Sequence, residues 1–90
     1  MAALSKDSIP HIDAMFRFQW EEAQDCYVLL YPEGMVKLSH SAGEILKLCD
    51  GENSVQDITT HLKEQYPDAN LDEDVVNFIE EAKQHGWLRT

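Results

Sequence analysis

Between residues 26 and 51 the chain runs CYVLLYPEGMVKLSHSAGEILKLCDG, a hydrophobic stretch in which the spacing of apolar positions changes once. Tyr27, Val28, Leu29, Leu30 and Tyr31 mix aromatic, aliphatic and β-branched side chains, which suits a pleated surface, so they predict a strand. Pro32 presets φ for a turn and Gly34 can take a positive φ, so Tyr31-Pro32-Glu33-Gly34 predicts a tight hairpin with residues 35–38 returning as the next strand. Ser41 followed by Glu44 has the spacing of a capping box. Ile45, Leu46 and Cys49 then recur at helical intervals up to Gly51, which is expected at C′. A hairpin therefore feeds directly into a helix, and the remainder is expected to pack on that unit.

Upstream, Phe16, Phe18 and Trp20 alternate with Arg17, Gln19 and Glu21, the period of a half-buried strand. With residues 22–25 as a polar link, this makes a three-stranded meander whose first and third strands are the edges. Residues 1–15 show no sustained period and include Ser5, Asp7, Ser8, Pro10 and Asp13. They are expected to form a mobile N-terminal arm ahead of a folded domain spanning 16–90. Downstream, Ser54 and Asp57 form a second capping box before Val55, Ile58 and Leu62, with Tyr66 in the last turn and Pro67 as the stop. Asp72 is expected to cap a third helix, with Leu71 and Val76 as its hydrophobic staple. Glu73 and Asp74 favour its N-terminal dipole, and Val75, Phe78, Ile79 and Ala82 form its inner face. Gly86 ends that helix, and Trp87 and Leu88 fold back as an extended segment. Three antiparallel strands followed by three α-helices predict an α+β domain of winged-helix-like character, with the helices on one face of the sheet.

Composition narrows the partners. At 90 residues the chain makes one domain with a modest core, a size at which enclosed catalytic clefts are scarce. A formal net charge of −10 repels phosphate backbones and argues against nucleic acid. No run approaches the roughly 20 apolar residues of a membrane span, and the first fifteen residues have no signal-peptide core, so no membrane partner and a cytoplasmic location are expected. Cys26 and Cys49 are too few for a disulfide scaffold and fall in apolar settings, which makes them structural, reduced thiols.

Catalytic and metal motifs are sparse. His11, His40, His61 and His85 are scattered, neither cysteine has a partner at metal-ligand spacing, and the four glycines form no phosphate loop. No metal, cofactor or catalytic residue is expected. Residues 68–81 hold Asp68, Asp72, Glu73, Asp74, Glu80 and Glu81 without a Lys or Arg, which reads either as a solvated face or as a docking surface for a basic partner. The edge formed by Met35, Val36, Lys37, Leu38 and Ser39 offers unpaired N–H and C=O groups to an extended peptide. The same edge could pair with a second copy as a homodimer, and Lys37 reads equally as a guard against such pairing.

The segment VLLYPEGMVKLSHSAGEILKLCDGENSVQDI, followed by the DV, FI and GWL of the last helix and its exit, resembles the pyrroloquinoline quinone biosynthesis protein D (PqqD) family over residues 16–88. Relative to that pattern, Ser39 stands where an Asn is usual and Gly43 where an Ala is usual. The resemblance implies a RiPP recognition element that is not an enzyme. Such a protein is expected to bind the ribosomal precursor peptide PqqA and present it to the radical S-adenosylmethionine enzyme PqqE. It further implies that the peptide adds as a strand between the third strand and the third helix. On this chain that places it against Met35, Val36, Lys37, Leu38 and Ser39 on one side and Val76, Ile79, Glu80 and Lys83 on the other. Two cysteines far apart cannot supply the three thiolates of a radical enzyme's cluster, so the chain is expected to act beside such an enzyme. A winged-helix nucleic-acid binder and a self-associating structural subunit are the alternatives.

Overall fold

A computed structural model describes residues 5–90; the first four residues of the expected arm lie outside the described part. In chain order the elements are β1 (His11–Ile12), β2 (Arg17–Glu21), β3 (Cys26–Tyr31), β4 (Gly34–Lys37), α1 (His40–Lys47), α2 (Val55–Gln65), α3 (Asp72–Gln84) and β5 (Leu88–Arg89). β2, β3 and β4 form the expected antiparallel meander, and β1 pairs with β5 as a second, two-stranded sheet.

Strand alternation sorts the meander into two faces. The register places Phe18, Leu29 and Val36 in one row and Trp20 and Tyr27 in the next, all turned toward the helices. Phe18 stacks on Tyr27 with ring centroids 4.7 Å apart, and Trp20 meets Tyr27 edge-on at 5.0 Å. Onto this aromatic bank α1 lays Gly43. A Cβ there would lie 2.9 Å from Tyr27 Cδ2, so glycine is what lets helix and strand approach this closely. Leu29, Leu46, Ile58, Val75 and Ile79 then close the core between sheet and helices. On the opposite face Val28 is buried without joining that core, sheltered between its cross-strand neighbours Gln19 and Lys37.

Local chemistry sets the helix ends, in two places differently from expectation. The Ser54–Asp57 capping box forms as read, each side chain accepting from the other residue's backbone N–H at 3.1 Å. For α1 the cap is Ser39, whose hydroxyl accepts from Ala42 N–H at 3.2 Å, so Ser41 and Glu44 lie inside the helix and form no capping box. β4 decides this: the ladder holds Leu38, and the next residue is the first free to turn. For α3 the cap position is Leu71, without a side-chain bond, and Asp72 is the first helical residue, paired with Lys63 at 3.3 Å. Gly51 and Gly86 have φ of 82° and 81°, while Gly34 has no positive φ. Gly51 lies beyond the C-cap Leu48 and shapes instead the turn whose N–H reaches Pro10 C=O at 3.2 Å.

The largest departure is at the N-terminus. In place of a mobile arm, residues 6–13 are stitched to the domain. Gln56 N–H donates to Lys6 C=O at 3.1 Å, Val55 N–H to Ser8 C=O at 2.8 Å and Asp13 N–H to Trp87 C=O at 2.8 Å. His11 and Ile12 pair with Arg89 and Leu88, and Pro10 is fully buried. Trp87 and Leu88 fold back as expected, and their partner is this N-terminal segment.

Candidate functional site

The strand half of the expected site follows from the ladder. Leu38 N–H donates to Tyr27 C=O at 3.0 Å, one rung beyond the Val28↔Lys37 pair. Antiparallel rungs alternate between pairs that exchange both bonds and pairs that exchange none, so Leu38 and Val36 spend their backbone groups on β3. Met35 and Lys37 turn theirs outward, away from the sheet. Their side chains are exposed, whereas Val36 packs on the core and Leu38 is buried within it. Ser39 belongs to the α1 cap and leaves the strand there.

The helix half divides. Ile79 is fully buried and is part of the core floor. Val76 borders a depression on the α2 side with Lys6, Val55 and Thr59, Glu80 is exposed to solvent, and Lys83 Nζ donates to Thr90 Oγ1 at 3.0 Å. None of these four lines the opening that α3 makes with α1.

That opening is an apolar cleft of about 350 Å³. Its walls come from the first turns of α1 (His40, Ser41, Glu44, Ile45), the end of α2 (Leu62, Tyr66) and the start of α3 (Leu71, Asp74, Val75, Phe78). His40 Nε2 and Tyr66 Oη lie 3.2 Å apart across one end. Because α1 begins right after Ser39, the wall of the cleft starts three residues past the end of β4. Phe78 was legible as an inward aromatic, but only half of it is covered by the core, and the rest faces this cleft.

Reactive groups are otherwise restrained. Burial pushes the Cys49 thiol up to about 12, aided by the nearby Asp50 carboxylate, so it stays protonated at neutral pH and is no nucleophile. Asp50 itself is held below its ordinary value by the backbone N–H groups of Glu52 and Asn53, an Asx-type turn. Among the described residues no group of three or more His, Cys, Asp or Glu could hold a metal ion, and no helix is long and apolar enough to cross a membrane.

Residues 26–88, the span from β3 to β5 that contains the free edge and the cleft, match the family Coenzyme PQQ synthesis protein D (PqqD). The chain belongs to the PqqD family. It is 53% identical over 89 residues to a protein of Pseudomonas paraeruginosa (strain DSM 24068 / PA7) named PqqA binding protein, covering 98% of this chain and 97% of that one. A protein of the same name from Azotobacter vinelandii (strain DJ / ATCC BAA-1303) is 46% identical over 89 residues, with the same coverage. The solution NMR structure of the PqqD truncation of Methylobacterium extorquens PqqCD, described as a functional, stand-alone RiPP recognition element, matches with a TM-score of 0.77 at 30% identity. That match covers 98% of this chain and 96% of the other, so β2 and the N-terminal segment belong to the shared fold although the family match starts at Cys26.

Proposed function

We propose that this PqqD-family chain is a non-catalytic recognition element that binds the precursor peptide PqqA by strand addition and presents it to the radical S-adenosylmethionine enzyme PqqE. The observation that carries the reading is the free margin of β4, where Met35 and Lys37 hold their N–H and C=O groups toward solvent. Relatives named for PqqA binding, close to full length and about half identical, supply the ligand. The strand half of the expected site is kept as Met35 to Leu38, with Met35 and Lys37 giving main-chain bonds and register. For the helix half, Leu71, Asp74 and Phe78 replace Val76, Ile79, Glu80 and Lys83, because they face the cleft whose wall begins at His40, three residues past the end of β4.

Presentation works through effective concentration. A peptide held by the small domain reaches the enzyme as part of a complex, so two modest affinities combine into efficient delivery. The acidic charge of −10 opposes a nucleic-acid role, and an exposed edge that pairs with its own copy would compete with the peptide. The test is a titration of isotope-labelled protein with synthetic PqqA. The amides of Met35 and Lys37 are expected to shift and to gain exchange protection, with sedimentation showing one peptide on one chain. Shifts confined to other elements, or a chain dimer that the peptide leaves intact, would refute strand addition.

A further inference from the structure

We propose that the cleft between α1 and α3 is a side-chain pocket that selects, in the bound peptide, an apolar residue flanked by lysine or arginine. The proposal rests on the strand-addition reading and adds to it the chemistry being chosen. Ile45, Leu62, Val75 and Phe78 make the floor hydrocarbon. An apolar cavity of about 150 Å³ already holds a benzene ring, so about 350 Å³ accommodates one aromatic or branched side chain with part of its neighbours.

The rim carries the second half of the selection. Glu44 from α1 and Asp74 from α3 both border the opening, and no Lys or Arg does. The ion pairs among the described residues are Lys63–Asp72 and Arg89–Asp13, so both rim carboxylates stand without a cationic partner, including Lys47 one turn beyond Glu44. Low-dielectric walls focus the field of these two charges on the opening, within a chain already at −10. An apolar anchor with a cationic neighbour satisfies floor and rim together, whereas an acidic neighbour is repelled. The occupant is the peptide and not a second copy, because the acidic chain would bring like charge to the rim. Continuity with β4 supports the same occupant: only Leu38 and Ser39 separate that strand from His40 and Ser41 of the cleft wall.

The experiment titrates the full chain with synthetic PqqA at low and high salt. It then repeats the titration with the double variant Glu44→Gln/Asp74→Asn, the control Glu73→Gln/Glu80→Gln and a peptide whose Lys and Arg are replaced by Gln. With two exposed charge pairs at stake, the rim variant is expected to bind about fivefold more weakly at low salt, with a flattened salt dependence. The neutralised peptide should do the same with the wild type and lose nothing further on the rim variant, while the control variant stays near wild type. Thermal melting of each variant shows that the fold is kept. Equal weakening in rim and control variants, or an affinity insensitive to salt and to peptide charge, overturns the pocket while leaving strand addition standing. Failure of strand addition reads differently: Lys37→Pro then binds the peptide as the wild type does.

Discussion

β1 and β4 are both short strands at the margin of the molecule, and the chain finishes one of them and leaves the other open. β1 consists of His11 and Ile12, yet it is held on both sides, by Leu88 and Arg89 of β5 and by the bridge of His11 to Asp50, and it is flanked by the Asp13–Trp87 backbone bond and tied by the Asp13–Arg89 ion pair. β4 is longer, has a full ladder to β3 on one side and turns Met35 and Lys37 outward on the other. The contrast is physical in origin. Chain ends fray unless something holds them, so pairing the two termini removes their freedom at small entropic cost once the core has brought them together. An open margin costs little while water satisfies it, and it exchanges that water for main-chain bonds worth about 0.5–1.5 kcal/mol each when a strand arrives. Lys37, charged and exposed on that margin, discourages indiscriminate pairing.

The comparison breaks most visibly through proline. Leu38→Pro removes the N–H that bonds Tyr27 C=O and a buried side chain, so it should destabilise the fold by about 3 kcal/mol or more in urea unfolding. Lys37→Pro removes an N–H that points outward, as edge strands tolerate, and should leave the midpoint almost unchanged while weakening peptide binding at least about tenfold by calorimetry. If both variants behaved alike, the assignment of inward and outward rungs would be wrong.

A smaller effect probes the packing of α1 on β3, the strand that carries the open margin. Gly43→Ala gains about 1 kcal/mol of helix propensity but drives a methyl against a Tyr27 ring already held by Phe18 and Trp20. Overpacking of this kind costs about 1–3 kcal/mol, so a net loss of about 1 kcal/mol is expected in denaturant titration, and a gain would mean that the ring yields.

The smallest effect lies at the closed margin. Asp13 is held below its ordinary value by the N–H of Met15 and by Arg89. A depressed folded-state value means that its contribution is fully present above the ordinary carboxylate range and fades as pH falls through the lowered one. Protection of the Asp13 amide, which donates to Trp87 C=O, against exchange should therefore drop on acidification before that of β3, and Asp13→Asn should remove this pH dependence.

Much of this was legible residue by residue. The alternation of Phe16 to Glu21, the hairpin at Pro32, the Ser54–Asp57 box and the Val75–Ile79–Ala82 face all depend on neighbours within a few positions, where spacing and side-chain chemistry act directly. The N-cap was not: Ser39 and Ser41 are chemically equivalent, and the ladder bond of Leu38 chooses between them. Nor was the N-terminal segment legible, since a two-residue strand has no period and its partners stand far along the chain. The same holds for the placement of the residues of α3. Val76 and Phe78 are both apolar, and only the crossing of α3 over α1 and α2 turns one toward Lys6 and the other toward His40.

Sequence alone determined the three-stranded meander, the three helices and the resemblance to PqqD, because period and turn chemistry are short-range forces. Tertiary structure decided which backbone groups of β4 remain free, which flank of the last helix lines the cleft beside α1 and how β1 meets β5. Each of those depends on the meeting of segments that have no local reason to know of one another.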